Sequence, residues 1–484
     1  MATQILIWWL VIQLLGLAGL PLTAFLFRSL PDQGYAFAKP LGLLLTGYLA
    51  WLLAMLGVVP FSGPVLVLCA AIVFAVGALL YRSRARRGEQ GPAPKSLFGA
   101  WLSSVGRWSV VGYEVLFLLA LVFLALLRAH DYNFFASNPN PWFTERPMDF
   151  AFFNAIRRSE SFPPHDPWMS GYSINYYYFG YMLMAAMALL SGIEPAAAYN
   201  LSLALIFALT ALGVAGIVIN LIRLTTRDQR PTGDLGKSRN VRAMSPWVAA
   251  LLSVVFVLLA ANQGGALQVI TGTPSVLALS GRDMIRAVQN GLGPRQPLTL
   301  EQPYQEWGQE PTTIITPTNS WTEFNWWNPS RALWDGGRDQ NDSTKFYAIT
   351  EFPLFSFWLG DMHPHVMALP FGLLAMALAL QVVARPSAPT FGVNRRGWLE
   401  LALVGIVLGS LYAINSWDFP TYLLLYLLAL LVLYARLGSA SNHEIAEERQ
   451  LPRIWWSHLA QQALFAGVAS FVMLAPFYMT FRSL

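Results

Sequence analysis

Between two apolar runs lies a polar, aromatic segment, roughly His130 to Tyr181, whose residue types suit chemistry. It reads Glu145-Arg-Pro-Met-Asp149, then His165-Asp-Pro-Trp168, then Asn175-Tyr-Tyr-Tyr-Phe-Gly180. Glu145 and Asp149 are four residues apart, so on a helix begun near Pro147 they share one side of its first turns. Two carboxylates so placed can share a cation or raise each other's pKa, and either effect suits catalysis. The plainer alternative is that they cap the helix start and pair with Arg146 or Arg157. Phe150, Phe153 and Ile156 followed by Arg157 and Arg158 read as a short amphipathic helix able to lie in a membrane interface. His165 and Asp166 sit among Pro163, Pro164 and Pro167, which stiffen the chain and suit a metal or substrate ligand. A solvated imidazole and a turn-capping carboxylate are the competing roles. Tyr176, Tyr177 and Tyr178 would point about 100° apart on a helix, so at least one must face protein or a cavity instead of lipid headgroups.

A second constellation is Asp361, His363 and His365. Alternate residues of an extended segment face the same way, and Pro364 disfavours a helix at His363, so the three can converge on one divalent ion, magnesium or manganese. Interfacial histidines bonded to backbone are the alternative, and His165 is a fourth candidate ligand. Asp418, in Asn415-Ser-Trp-Asp-Phe-Pro420, is either a hairpin acid or one carried into a cavity. Trp326 and Trp327 suit stacking on a sugar ring or an isoprenyl chain, or packing within their own loop. Arg331 and Arg338 offer forks that fit a phosphate, or ion pairs with Asp335 or Asp339. Glu114, alone in an apolar run, is expected to snorkel to the inner membrane surface and is given no role.

The elements that must position these groups are membrane helices. The 484 residues are 55% hydrophobic and only 12% charged, against about 25% charged in ordinary soluble domains. Apolar runs of spanning length fall near 4–26, 41–58, 62–81, 109–128, 198–222, 246–262, 365–384, 398–415, 420–436 and 459–480, with Tyr176–Leu190 as an eleventh candidate. The first run lacks a basic leader and is too long for a signal-peptide core, so it is expected to stay as a helix. The fold expected is therefore all-α: a polytopic transmembrane bundle of about ten or eleven spans. Three leading helices (1–81), a basic cytoplasmic linker (82–108) and a catalytic-type module (109–484) with external loops at 129–197 and 263–360 divide it. The single cysteine, Cys69, excludes an internal disulfide and a thiolate metal centre. Basic residues cluster after the first span, at 82–107, at 223–242, and at 385–396 and 436–453, which the positive-inside rule makes cytoplasmic. That assignment holds throughout only if Tyr176–Leu190 is re-entrant or lies flat, and it puts the acids, histidines and tyrosines on the external face of the plasma membrane. The net charge of +5 belongs to loops facing anionic lipid, with no nucleic-acid surface. No Walker loop, Rossmann fingerprint or GxSxG elbow is present.

The order of acid, short helix, Asp-Pro-Trp and tyrosine-rich segment is similar to the first external loop of C-type membrane glycosyltransferases. More narrowly, Asn175-Tyr-Tyr-Tyr-Phe-Gly180, Gly360-Asp-Met-His-Pro-His365 and Asn415-Ser-Trp-Asp-Phe-Pro420 resemble the archaeal and chloroflexal "YYY" membrane proteins over roughly residues 110–480. The broader resemblance implies a C-type glycosyltransferase fold and transfer of a sugar from a polyprenyl-phosphate carrier. It implies Asp149 as base or metal ligand and Asp166 as a second acid. The partners expected are then membrane lipid and a polyprenyl-phosphate sugar, while nothing in the chain points to a particular protein partner. A transporter or channel would instead carry ionisable residues near mid-span. A non-catalytic membrane scaffold is the third reading, and the clustered acids and histidines speak against it.

Overall fold

In this computed structural model the residues described are 1–85, 105–130, 145–228, 245–260, 333–334, 347–348, 351–442 and 451–481. They are helical apart from connecting turns, an irregular stretch at 159–178 and a two-residue antiparallel ladder, β1 (Leu333–Trp334) with β2 (Tyr347–Ala348). The helices are α1 (Ala2–Leu26), α2 (Ala38–Met55), α3 (Gly63–Ala85), α4 (Arg107–His130), α5 (Arg146–Arg158), α6 (Phe179–Ser191) and α7 (Pro195–Asp228). There follow α8 (Pro246–Leu258), α9 (Pro353–Leu359), α10 (Pro364–Val383), α11 (Arg395–Ile414), α12 (Asp418–Asn442), α13 (Leu451–Met473) and α14 (Ala475–Thr480). Eight helices among the described residues are long and apolar enough to cross a membrane. The expected all-α polytopic bundle is thus the observed one. Two expected spans differ in detail: α8 is only 13 residues long, and the last run is broken at Leu474 into α13 and the short α14.

The chain forms two compact units, Met1–Val254 with Gly360–Leu484, and Val255–Leu359. The first holds the helices on both sides of the basic linker. Its two ends differ chemically. At one end Arg28 pairs with Glu400, which is also held by Arg385, while Asp32 accepts from Tyr113 Oη and from the Gly34 amide, and Arg223 donates to Ser109. At the other end the α2–α3 turn meets the segment after α5 through the Phe61 amide and Glu160 carbonyl, 2.8 Å apart, and Arg128 at the end of α4 meets Asn200 near the start of α7. Basic side chains expected in inner loops therefore share one end, and the acids and tyrosines expected outside share the other.

Most of Tyr176–Leu190 lies in helix α6. At about 1.5 Å per residue its 13 residues reach about 20 Å, short of a hydrocarbon core of about 30 Å. Both α5 before it and the first turns of α7 after it lie at the acid-bearing end, joined there through Asp149 and Tyr199. The start of this helix and the start of α7 thus both reach Asp149, through Tyr181 and Tyr199, at one end of the first unit. Phe179 to Ala188 are all buried, and α1, α2, α3, α5, α7, α10 and α11 all contact this helix. The approach is close enough that a Cβ on Gly180 would lie 2.8 Å from the Met367 sulfur of α10. The tyrosine triplet precedes α6 and does not open it, because the Tyr178 amide turns back to the Tyr176 carbonyl at 2.8 Å.

Glu114 does not snorkel. In α4 it pairs with Lys39 of α2, accepts from Tyr35 Oη at 2.5 Å and from Gln13 Nε2 at 2.7 Å. Lys39, expected in an inner loop, is buried, with its ammonium 4.9 Å from the Phe117 ring centroid. Charge inside these apolar spans is stabilised by a partner and by aromatic faces instead of by water.

Candidate functional site

The first turn of α5 places Asp149. Pro147 suits an early helix position, where a missing N–H costs nothing, and the Asp149 amide closes the first turn on the Glu145 carbonyl at 2.9 Å. Phe152, Phe153 and Ile156 bury the same helix against α6, so Asp149 is carried inward and has no exposed surface. Three groups surround its carboxylate. Tyr181 of α6 donates to Oδ1 at 2.5 Å, the Met362 amide donates to Oδ2 at 2.7 Å, and the Tyr199 hydroxyl of α7 lies 3.5 Å from Oδ2. A hydroxyl has one proton, and Tyr199 directs its own to the Gly360 carbonyl at 3.0 Å. Asp149 therefore has two firm donors.

Tyr199 and Arg128 hold the Gly360–His363 turn from two sides. Gly360 has φ +80°, and a Cβ there would sit 2.5 Å from the Arg128 guanidinium carbon. Both observations call for glycine. The turn brings in Asp361, 1% exposed, whose Oδ2 accepts from the Glu145 amide at 3.2 Å and lies 3.5 Å from His363 Nε2. Arg146 Nε stands 3.8 Å from Oδ1. His363 Nε2 is also 3.3 Å from the Glu145 carboxylate, and Glu145 is the open member of the group, its side chain 56% exposed.

These contacts set the electrostatics. Burial pushes Asp149 up to about 7, helped by the negative charge of Asp361 and opposed by the Tyr181 hydrogen bond, His363 and the Met362 amide. Burial likewise raises Asp361 to about 6, against the pull of His363, the Glu145 amide and Arg146. Two buried carboxylates, one deep and one beside an imidazole, thus hold their protons to higher pH than usual, and the charge of Asp361 adds to the upward shift of Asp149. Such groups can take a proton from a substrate at physiological pH. The donor set offers a divalent ion one oxygen and one nitrogen: Asp361 Oδ1 is buried and accepts no hydrogen bond, and His363 Nε2 lies 3.5 Å from the other oxygen, Oδ2.

A family model described as "Uncharacterized membrane protein (DUF2298)" matches residues 45–484. The chain belongs to this family. Neither a curated protein nor a solved structure matches it. The region matched to the DUF2298 family contains every residue of the site, from Arg128 to His365, together with both segments on which they depend, α6 and the Gly360 turn.

In this DUF2298 chain the expected site residues part company. Glu145 and Asp149 do not share a cation across one turn, because Glu145 caps the helix and turns outward while Asp149 turns in; the acid that couples to Asp149 is Asp361. His363 is within the cluster, and the exposed His365 stays beside it, the rings 5.3 Å apart and a nitrogen of each within 4.8 Å of the other, so that these two expected ligands can still share an ion. Asp166 is used by its own turn, accepting from the Trp168 and Met169 amides at 2.7 and 3.0 Å, and His165 is exposed at the base of that loop. The tyrosines take three directions. Tyr176 packs on Phe152 and feels the charges of Glu145 and Asp149, which with burial push its phenol up to about 12. Tyr177 accepts from Ser416 Oγ at 2.9 Å and stacks on Phe481, and Tyr178 is buried between Phe162 and Phe477. Asp418 begins α12, its amide bonded to the Asn415 carbonyl at 3.0 Å. Trp326, Trp327, Arg331 and Arg338 lie outside the described residues. Tyr199, Arg128 and the Met362 amide escaped the sequence reading. Tyr199 did leave a signal, a phenol one turn into an Ala- and Leu-rich span.

Proposed function

We propose that this membrane protein is a glycosyltransferase that moves a sugar from a polyprenyl-phosphate carrier to an acceptor hydroxyl on the external face of the plasma membrane. Asp149 acts as the general base. The observation that carries the reading is a fully buried carboxylate, gripped by Tyr181 and the Met362 amide, whose proton affinity is raised into the neutral range. The acceptor oxygen attacks the anomeric carbon and gives its proton to Asp149. The bond from that carbon to the phosphate oxygen breaks, and its electron pair leaves on the polyprenyl phosphate. The anomeric configuration inverts. Because Asp149 is enclosed, reaching the acceptor requires the turn at Gly360 to shift, and the left-handed glycine at its start is the natural hinge. A divalent cation, magnesium or manganese, would be held by Asp361 and His363 and would supply charge neutralisation for the departing phosphate. Arg331 and Arg338 are the further candidates for that phosphate, with Trp326 and Trp327 for the sugar. The cluster of arginines at the opposite end of the bundle supports an external site under the positive-inside rule.

One observation favours a transporter instead: the Lys39–Glu114 pair lies inside the spans. The deciding experiment incubates purified protein in lipid nanodiscs with labelled polyprenyl-phosphate sugars and candidate acceptors, comparing wild type with Asp149→Asn. Transfer lost in the variant supports the base. Unchanged turnover removes Asp149 from the mechanism, and uptake into liposomes without transfer selects the transporter.

A further inference from the structure

Residues 163–174 form a compact hairpin that the transfer reaction does not use. The Ile174 amide bonds to the Pro164 carbonyl at 2.8 Å, the Asp166 amide to Tyr172 at 2.9 Å and the Tyr172 amide to Met169 at 3.2 Å. Asp166 turns its carboxylate inward to the Trp168 and Met169 amides, and Gly171 takes φ +85°. These bonds hold the hairpin's shape, and its tip carries three large apolar side chains that are exposed. Trp168 is 63% exposed, Met169 58% and Tyr172 65%. Leaving such groups in water is costly, at about 25 cal/mol per Å² of apolar surface.

The base of the hairpin shows what covers them. It is fastened to the α2–α3 turn by the bond between the Phe61 amide and the Glu160 carbonyl and by edge-to-face packing of Phe61 on Phe162 at 5.1 Å. That turn joins two spans, carries exposed Leu56 and Val58, and lies in a stretch from Pro40 to Tyr81 without one Asp, Glu, Lys, Arg or His. The lipid-facing surface of the spans therefore runs up to the hairpin's foot. From Pro167 to Ile193 the chain is again free of charge, and Trp, Tyr and Met are the side chains that partition into the headgroup and upper acyl region.

We propose that the 163–174 hairpin inserts its Trp168–Met169–Tyr172 tip into the bilayer leaflet on the Asp149 side. The tip anchors the segment that leads through Tyr176–Tyr178 into α6, so the chain beside the buried carboxylate is tethered to the surface of that leaflet. The proposal stands apart from the transfer reaction and is tested without it. The only cysteine, Cys69, is buried, so a Cys69→Ala background accepts one new cysteine at a time. Trp168→Cys, Met169→Cys and a control at the exposed Ser161→Cys are labelled with an environment-sensitive fluorophore and reconstituted in nanodiscs, with monodisperse elution checked first. Insertion predicts that nitroxide lipids quench positions 168 and 169 at least about twofold more than 161, and that aqueous iodide does the reverse. Iodide quenching at the tip equal to that at 161 would place the tip in water and overturn the proposal. Shielding from both quenchers would overturn it in favour of a protein cover.

Discussion

Asp149→Asn should change how stability depends on pH before any question of activity arises. The folded-state value of about 7 lies above the ordinary 3.8 that the residue regains on unfolding. The native state therefore binds the proton more tightly than the unfolded chain. Its stability contribution is intact in acid and is lost as pH rises toward and through 7. A shift of about three units corresponds to about 4 kcal/mol between the protonated and ionised limits. The asparagine variant has no such dependence. It also fits the site: its oxygen accepts from the Met362 amide, which can only donate, and its NH₂ donates to Tyr181, whose hydroxyl can reverse. Any residual misfit is independent of pH and drops out of a comparison of slopes. Thermal unfolding of both proteins in nanodiscs, followed by tryptophan fluorescence from about pH 5 to pH 8, should show the variant gaining on the wild type by about 2.5 kcal/mol as pH rises, the rest of the effect falling below pH 5. Asp361 is retained in both and contributes equally to first order. If the difference between the two proteins stays constant across that range, Asp149 is not held protonated by its burial and the electrostatic account of the site fails.

Other substitutions test separate links. In the transferase reading, Asp149→Asn should lower transfer by about 10² to 10⁴, the usual contribution of a general base, measured with labelled sugar donor. Tyr181→Phe removes a hydrogen bond that lowers the Asp149 pKa; a bond to an ionised group is worth about 1.5–3 kcal/mol, so the rising limb of the pH–activity profile should move upward by about one to two units. Gly360→Ala combines a left-handed backbone with a clash on Arg128 and should destabilise the protein by about 1–3 kcal/mol or more, visible as a lowered melting temperature. Lys39→Met leaves Glu114 unpaired among apolar helices and should cost about 3–5 kcal/mol, whereas Lys39→Met with Glu114→Gln should recover most of the loss.

The spans were legible because a membrane helix must be apolar along most of its length, which any window of residues reveals. That Tyr176–Leu190 need not cross could be argued from the sequence only through bookkeeping of arginines at 223–242, a global constraint that no local pattern carries. Asp149 stood out in the sequence as an acid at the start of a short amphipathic helix, where capping or an ion pair was the competing role, and its burial came only with the structure. Its true partner did not stand out. Asp361 lies more than two hundred residues away, and sequence spacing favoured Glu145, which the helix start turns outward. Lys39 and Glu114 were misread for the same reason. Lys39 was placed in a loop and Glu114 was judged against its own helix, while the stabilising contact crosses between α2 and α4.

The dependence of the site on α6 follows from how the bundle is filled. An acid as buried as Asp149 stays in place only if its donors are supplied by elements that cannot drift, and α6 is fixed on all sides by its neighbours. It carries no charge of its own, yet its Tyr181 is the shortest contact to the carboxylate. Its other faces pack with no slack: a Cβ at Gly47 would lie 2.5 Å from Leu183, and one at Gly180 would meet Met367. A methyl group added at either glycine touches no polar group, but it must displace α6 or its neighbour. Because Tyr181 and the Met362 amide reach Asp149 from α6 and from the turn before α10, that displacement separates the two donors of one carboxylate. Packing deep in the apolar bundle thereby governs the proton affinity of the acid at its surface end.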